Sequence, residues 1–272
     1  MKHTNKCIAT LALLSSVFTS CGKDNVAPAI DTNQKATLSI QFDNIVGDKN
    51  LQLNTGTYTN AAGETFKVSL LRYFISNIKV TTSGGQEYVV PQDSSYFLIA
   101  EDNTASQFVK VKVPVGEYAA VSFVLGVDSL RSTMDISKRT GVLDPTGGMD
   151  DGMYWGWNSG YIFFKMEGTS SVAPVDPSGQ NKFRYHIGGF GGYNAPTLNN
   201  VRTIRVDLTA GGIAKVRPDR ESNVHLMVDI LKMFNGTTTV SIASNPTVMF
   251  SEFSTKVAGN YINMFTHDHT EN

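Results

Sequence analysis

Cysteine is nearly missing from this 272-residue chain: Cys7 and Cys21 are its only two. A multi-bridge disulfide framework and a four-cysteine metal cage are therefore excluded. Neither sign of charge dominates, since 23 Lys and Arg face 24 Asp and Glu. That balance leaves no basic footprint for nucleic acid. Beyond the N-terminus no apolar run is long enough to cross a bilayer as a helix. The usual catalytic signatures are also lacking. There is no Gly-x-Ser-x-Gly elbow, no His-Glu-x-x-His, no phosphate loop, and no nucleophile–base pair at a recognisable spacing. A non-enzymatic protein is expected.

What is there begins with an export signal. Lys2 and Lys6 precede an apolar stretch from Ile8 to Phe18, followed by Val17-Phe18-Thr19-Ser20-Cys21. The run is too short for a permanent span and reads as a signal peptide over residues 1–20. A small residue before Cys21 marks a lipobox, although Phe18 stands where leucine is usual. Cleavage before Cys21 would leave that cysteine as the lipidated, palmitate-bearing first residue and would remove Cys7 with Lys2 and Lys6. The expectation is a lipoprotein anchored to a membrane of the cell envelope, on the outer membrane, its periplasmic face or the cell surface. Residues 21–35, polar and containing Pro28, read as a tether. Residues 36–272 read as one domain, long enough to be held by its own core.

Within that domain short apolar runs alternate with Gly, Asn, Asp, Ser and Thr clusters, the rhythm of strands and turns. From Thr37 to Ile45, Leu38, Ile40 and Phe42 share one face while Ser39, Gln41 and Asp43 share the other. Phe66 to Leu70 alternates in the same way, with a register slip expected around Arg72-Tyr73-Phe74. Phe108 to Val113 and Glu117 to Val127 read as a pair around the Pro114-Val115-Gly116 turn. Later strands are expected at Phe183 to Ile187, Val201 to Leu208 and Val224 to Ile230. Short helices are expected at Ser129 to Ser137, capped by Asp128 or Ser129, and at Val257 to Phe265. The sum is an all-β antiparallel sandwich of the immunoglobulin-like class, with long irregular loops and one or two short helices. Gly141 to Gly160 is the least regular span. Gly188-Gly189-Phe190-Gly191-Gly192 precedes no helix, so it reads as a turn rather than a dinucleotide loop.

Chemistry falls to a few side chains. On alternating strands His186 opposes Phe183, Tyr185 and Ile187, and His225 shares a face with Met227 and Asp229. Asp229 is the residue expected to orient His225. In the tail, His267 and His269 are spaced to put both imidazoles on one side of an extended segment, with the soft sulfur of Met264 three residues before. Imidazole with thioether suits copper, Cu(I) above all; a frayed polar terminus is the alternative. The block Met153-Tyr154-Trp155-Gly156-Trp157-Asn158-Ser159-Gly160-Tyr161 concentrates four large aromatics. It plugs the end of a sandwich, or, exposed, forms a stacking platform or a redox relay.

That block, with Val121 to Val127 and Leu143-Asp144-Pro145 before it and Ile162 to Gly168 after it, resembles the MbnP-like family, also called metallo-mystery pair proteins. Phe183-Arg184-Tyr185-His186-Ile187-Gly188 matches the family's Phe-x-x-His-x-Gly, and Leu70 to Asn77 its Tyr-Ile-Ser-Asn-type strand. The resemblance covers most of residues 36–265, and the Trp-x-Trp block is its most specific part. It implies copper binding, and partnership with a di-haem cytochrome c peroxidase-like enzyme that oxidises a tryptophan to kynurenine. Trp155 and Trp157 are then the candidates for modification and His186 is the motif histidine. The four-cysteine pattern of many relatives is absent from Gly189 to Tyr193, and position 157 is Trp rather than the His of a Trp-x-His spacing. With His225, His267 and His269 added on chemistry and strand parity, the expected function is copper binding in the envelope. The competing reading is a non-enzymatic surface adhesion module whose aromatic loop binds glycan or protein.

Overall fold

The computed structural model describes residues 30–150, 152–157 and 160–272. The expected signal peptide, Cys21 and most of the 21–35 tether lie outside the described residues. The principal strands are β1 (Lys35–Val46), β2 (Thr65–Thr81), β3 (Tyr96–Ala100), β4 (Phe108–Pro114), β5 (Ala120–Leu125), β6 (Tyr154–Trp155), β7 (Gly160–Thr169), β8 (Lys182–Gly188), β9 (Arg202–Asp207), β10 (Ser222–Asp229) and β11 (Phe265–Glu271). Among the described residues four short helices join them: α1 (Ser129–Thr133), α2 (Pro145–Asp150), α3 (Leu231–Phe234) and α4 (Glu252–Tyr261). None of the described helices is long and apolar enough to cross a membrane.

Among the described residues two main sheets hold the domain, with a two-stranded one, Gly116–Tyr118 against Ala214–Val216, beside them. The smaller runs β11–β10–β1, with β4 on the far side of β1; the larger runs β9–β5–β2–β7–β8, with β3 against β2 and β6 against β7. The all-β, sandwich-like expectation holds. Its antiparallel detail does not hold everywhere, because β1 and β10 pair in parallel, Leu38 opposite Ser222 through Ile45 opposite Asp229. The hairpin expected around Pro114-Val115-Gly116 is not formed. β4 pairs with β1 in one sheet, whereas β5 pairs with β2 and β9 in the other, so the chain crosses between layers at that turn. Every residue of β5 is buried, which suits a central strand covered on both faces.

The core is where the two inner faces meet. Leu38, Ile40 and Phe42 of β1 are fully buried, as their alternation demands. Phe42 packs edge-on to Phe123 of β5 at 5.4 Å and to Phe265 of β11 at 6.2 Å, and Phe265 meets Phe123 at 5.1 Å. Such ring pairs add about 0.5–1.5 kcal/mol each beyond the area they bury. The register slip expected at Arg72–Phe74 falls on either side of it. Pairing shifts where β2 meets β7 at Gly168, and again between Ser76 and Lys79, where Asn77 takes a φ of 51°.

Asp128 closes the end of this layer as the α1 cap. Its carboxylate accepts from Arg131 N at 3.0 Å, Asn77 Nδ2 at 3.0 Å, Gln92 Nε2 at 3.2 Å and the Tyr96 hydroxyl at 2.6 Å. Burial alone would raise this carboxyl, but those bonds together hold it below its ordinary value. Asp128→Ala is expected to destabilise the fold by about 2 kcal/mol, a lost cap plus orphaned donors, read as a lower urea midpoint at unchanged m. The tail also differs from expectation. The last helix begins five residues early, at Glu252, and residues from Phe265 onward form strand β11 rather than a frayed end.

Candidate functional site

The structure divides the expected histidine set between the two sheets. His225, on the outer face of β10, meets His269 of β11, the strand paired antiparallel beside it. Their rings stand 4.9 Å apart at 84°, with Nδ1 facing Nδ1 at 3.4 Å. Asp268 joins them, its Oδ2 lying 3.3 Å from His225 Nδ1 and 2.8 Å from His269 Nδ1. On the other side of the ring, His225 Nε2 reaches Asp43 Oδ2 of β1 at 3.2 Å. The hydrogen bond to Asp268 raises the His269 imidazole above its ordinary value, and the same bond lowers Asp268.

His267 does not join this group. The β10–β11 register places His269 opposite His225 but His267 opposite Leu226, leaving Asp268 as the extra residue of a bulge. Cross-strand neighbours share a face, so the bulge reverses the parity on which an in-line His-x-His depends. His267 instead bonds Thr270 Oγ1 through Nε2 at 2.9 Å and lies against Gly211, its Nδ1 buried without a partner. Burial lowers its affinity for a proton. Two more expectations are corrected. Met264 is fully buried in the core, so its sulfur is not a donor at the surface. Asp229 does not orient His225 but accepts from the Gly47 and Leu231 backbone amides; the orienting carboxylate is Asp43.

His186 belongs to the larger sheet. It lies opposite Lys165 of β7, and its Nε2 is 2.8 Å from Glu167 Oε1. That bond, aided by Lys165, holds the Glu167 carboxyl below its ordinary range. An ionised carboxylate only accepts, so Nε2 carries the proton and Nδ1 keeps its lone pair. Two residues along the same face, Trp155 covers Gly188, where a Cβ would stand 2.8 Å from the indole. The strand between them is roughly 7 Å long. Lys165 Nζ also donates to Gly152 O at 3.0 Å, drawing the loop before Trp155 onto this face.

Within the aromatic block, packing and exposure are shared out. Trp155 is 8% exposed and sits edge-on to Phe250 at 6.4 Å, whereas Trp157 is 65% exposed with its ring 5.6 Å from Trp155. Tyr161 is buried and donates to Leu143 O. One indole thus plugs the end of the sheet while the other faces solvent. His225 and His269 lie on the smaller sheet, so the imidazole pair and the indole pair form two separate places.

The comparisons agree with this architecture. The MbnP family model matches residues 35–250, a span that contains both tryptophans, His186 and His225. No curated protein matches the chain. Among solved structures, MbnP from Methylosinus trichosporium is similar in fold, with a TM-score of 0.52 at 15% identity, covering 80% of this chain and 82% of its own. The chain belongs to the MbnP family, which is linked to copper.

Proposed function

We propose that this protein binds copper in the cell envelope, held to a membrane by lipid at Cys21, and that it is not itself an enzyme. The observation that supports the reading is the seating of Trp155 over Gly188, on the face of β8 that carries His186, with Trp157 at the surface beside it. His186 fits a soft ion because Glu167 occupies Nε2 and leaves Nδ1 as the donor. A di-haem cytochrome c peroxidase-like partner, with peroxide as oxidant, would convert one indole of the pair to kynurenine. Four electrons leave the tryptophan and two peroxides take them up. The indole C2–C3 bond breaks, C2 departs as formate after hydrolysis, and an aniline nitrogen is freed. That nitrogen and the His186 imidazole give copper two ligands of the type it favours.

Intact mass of the full chain co-produced with such a partner is expected to rise by about 4 Da, as one carbon is replaced by one oxygen. Trp155→Phe or Trp157→Phe removes the rise, whichever is the oxidised position. Copper titration of His186→Ala is expected to show affinity weakened at least about tenfold. Unchanged mass together with unchanged copper affinity in all three variants rules the reading out. The exposure of Trp157 favours a second reading, a surface module that stacks glycan or protein on this ring. It would appear as ligand-dependent quenching of Trp157 fluorescence in protein that takes up no copper.

A further inference from the structure

We propose that His225, Asp268 and His269 form a second metal site, separate from the indole face, for a divalent transition-metal ion of the zinc or copper(II) type. Two of the three donor separations already match what such an ion imposes, and the third, between Asp268 and His269, is a hydrogen bond that an ion would replace. An ion bonded at about 2.0–2.1 Å to two imidazole nitrogens at a tetrahedral angle holds them roughly 3.3–3.4 Å apart. Here His225 Nδ1 and His269 Nδ1 are 3.4 Å apart, and Asp268 Oδ2 lies 3.3 and 2.8 Å from them.

Two features make this more than a surface ion pair. Asp43 takes His225 Nε2 at 3.2 Å, which fixes the tautomer and aims the bare Nδ1 lone pair at His269. This carboxylate–histidine–metal order is the usual outer support of a bound ion. The bulge is the second feature. Regular pairing would send Asp268 to the face opposite His269, and the extra residue swings its carboxylate between the rings instead. His225 Nδ1 and His269 Nδ1 face one another at 3.4 Å, and a cation between them would take the place of the proton that His269 Nδ1 shares with Asp268.

The donor set selects the ion. Two imidazoles reject Ca²⁺ and Mg²⁺, and the carboxylate favours a divalent ion over Cu(I). Asp268 and His269 have about half their side-chain surface in solvent, 51% and 47%, so the fourth position opens to water. Nor does the family account for this place. Its match ends at residue 250, before Asp268 and His269, and Trp155 sits on the other sheet with Trp157 in the turn beside it.

Titration of the full chain with Zn²⁺ is expected to saturate one equivalent lost in the His225→Ala/His269→Ala double variant, with affinity at least about 100-fold weaker. Asp43→Asn, one atom shell away, is expected to weaken it about 10–100-fold. Co²⁺ in place of Zn²⁺ should give the intense visible absorption of a four-coordinate ion, absent in the double variant. All these side chains lie on the outer face of the sheet, and circular dichroism of each variant verifies that the fold persists. Failure of the wild-type chain to bind one Zn²⁺, or retention of binding by the double variant, overturns the proposal. His186→Ala is expected to leave Zn²⁺ binding unchanged, so an error here and an error in the copper reading give different results.

Discussion

Gly188→Val is expected to eject Trp155 from its seat and to destabilise the domain by about 4 kcal/mol, at the upper end for overpacking. The cause is space. A Cβ at Gly188 would overlap the Tyr161 carbonyl oxygen and lie 2.8 Å from Trp155. Backbone of the paired strand β7 cannot retreat without loss of the Ile162–Gly188 pairing. The indole is the mobile party and swings outward. Tryptophan emission should shift to longer wavelength and iodide quenching should rise, because a ring now 8% exposed becomes wet. Gly63→Ala is the control for backbone conformation alone. Its φ is +77° with nothing within 4 Å of the added methyl, so about 1 kcal/mol is expected there. Adding Trp155→Ala to Gly188→Val removes the ring clash and leaves the carbonyl clash. The shortfall from additivity measures how much of the cost belongs to the indole. Full additivity would show that Trp155 does not lie on Gly188.

Strand character was legible because it depends on local alternation. Leu38, Ile40 and Phe42 read as one buried face, and all three are buried. Partner choice was not legible, because it depends on contacts far apart in sequence. The run from Phe108 to Val127 has the local look of a hairpin, yet Pro114 to Gly116 turns the chain from one sheet into the other. Alternation within a strand is equally satisfied by either neighbour. The parallel pairing of β1 with β10 is hidden for the same reason. It joins residues 184 positions apart, Leu38 and Ser222, that no turn connects.

The site was legible residue by residue rather than as a set. His225 and His269 were identifiable by type, and His186 by its motif, but which of them meet was set by the division into sheets and by one inserted residue. The bulge at Asp268 separates His267 from His269, and strand parity alone gives the opposite result. The carboxylates were the missed partners. Asp43 was readable as outward-facing, and Asp268 stands between two histidines, yet only the fold brings both to His225. Glu167 reaches His186 across a strand pair, which single-strand periodicity does not show.

Glu64→Gln is expected to cost about 3 kcal/mol at neutral pH and to lower the melting temperature by about 6–12 °C, despite being nearly isosteric. All the donors that meet this side chain converge on its two oxygens. Oε2 accepts from Asn60 Nδ2 at 2.7 Å and Ile242 N at 2.6 Å, and Oε1 from Ser241 Oγ at 2.7 Å and Ala243 N at 3.0 Å. A glutamine amide must turn its NH₂ toward one of those pairs, setting donor against donor in a buried place. The bonds fasten the 241–243 segment to the turn before β2, just ahead of Thr247–Val248, which runs parallel beside β8. Burial pushes the Glu64 carboxyl up, but the bonds from Asn60, Ala243, Ser241 and Ile242 outweigh it and hold it below its ordinary 4.5. A folded-state value below the unfolded one means that the unfolded chain takes up the proton first. The stabilisation is therefore complete above about pH 4.5 and is lost as pH falls through the lower folded-state value. Wild type and Glu64→Gln should differ by a constant amount from pH 7 to about 5, and the gap should close on further acidification. Urea midpoints followed across that range test it. A gap that stays constant into acid, or one that widens, would mean that the Glu64 charge does not hold this segment in place.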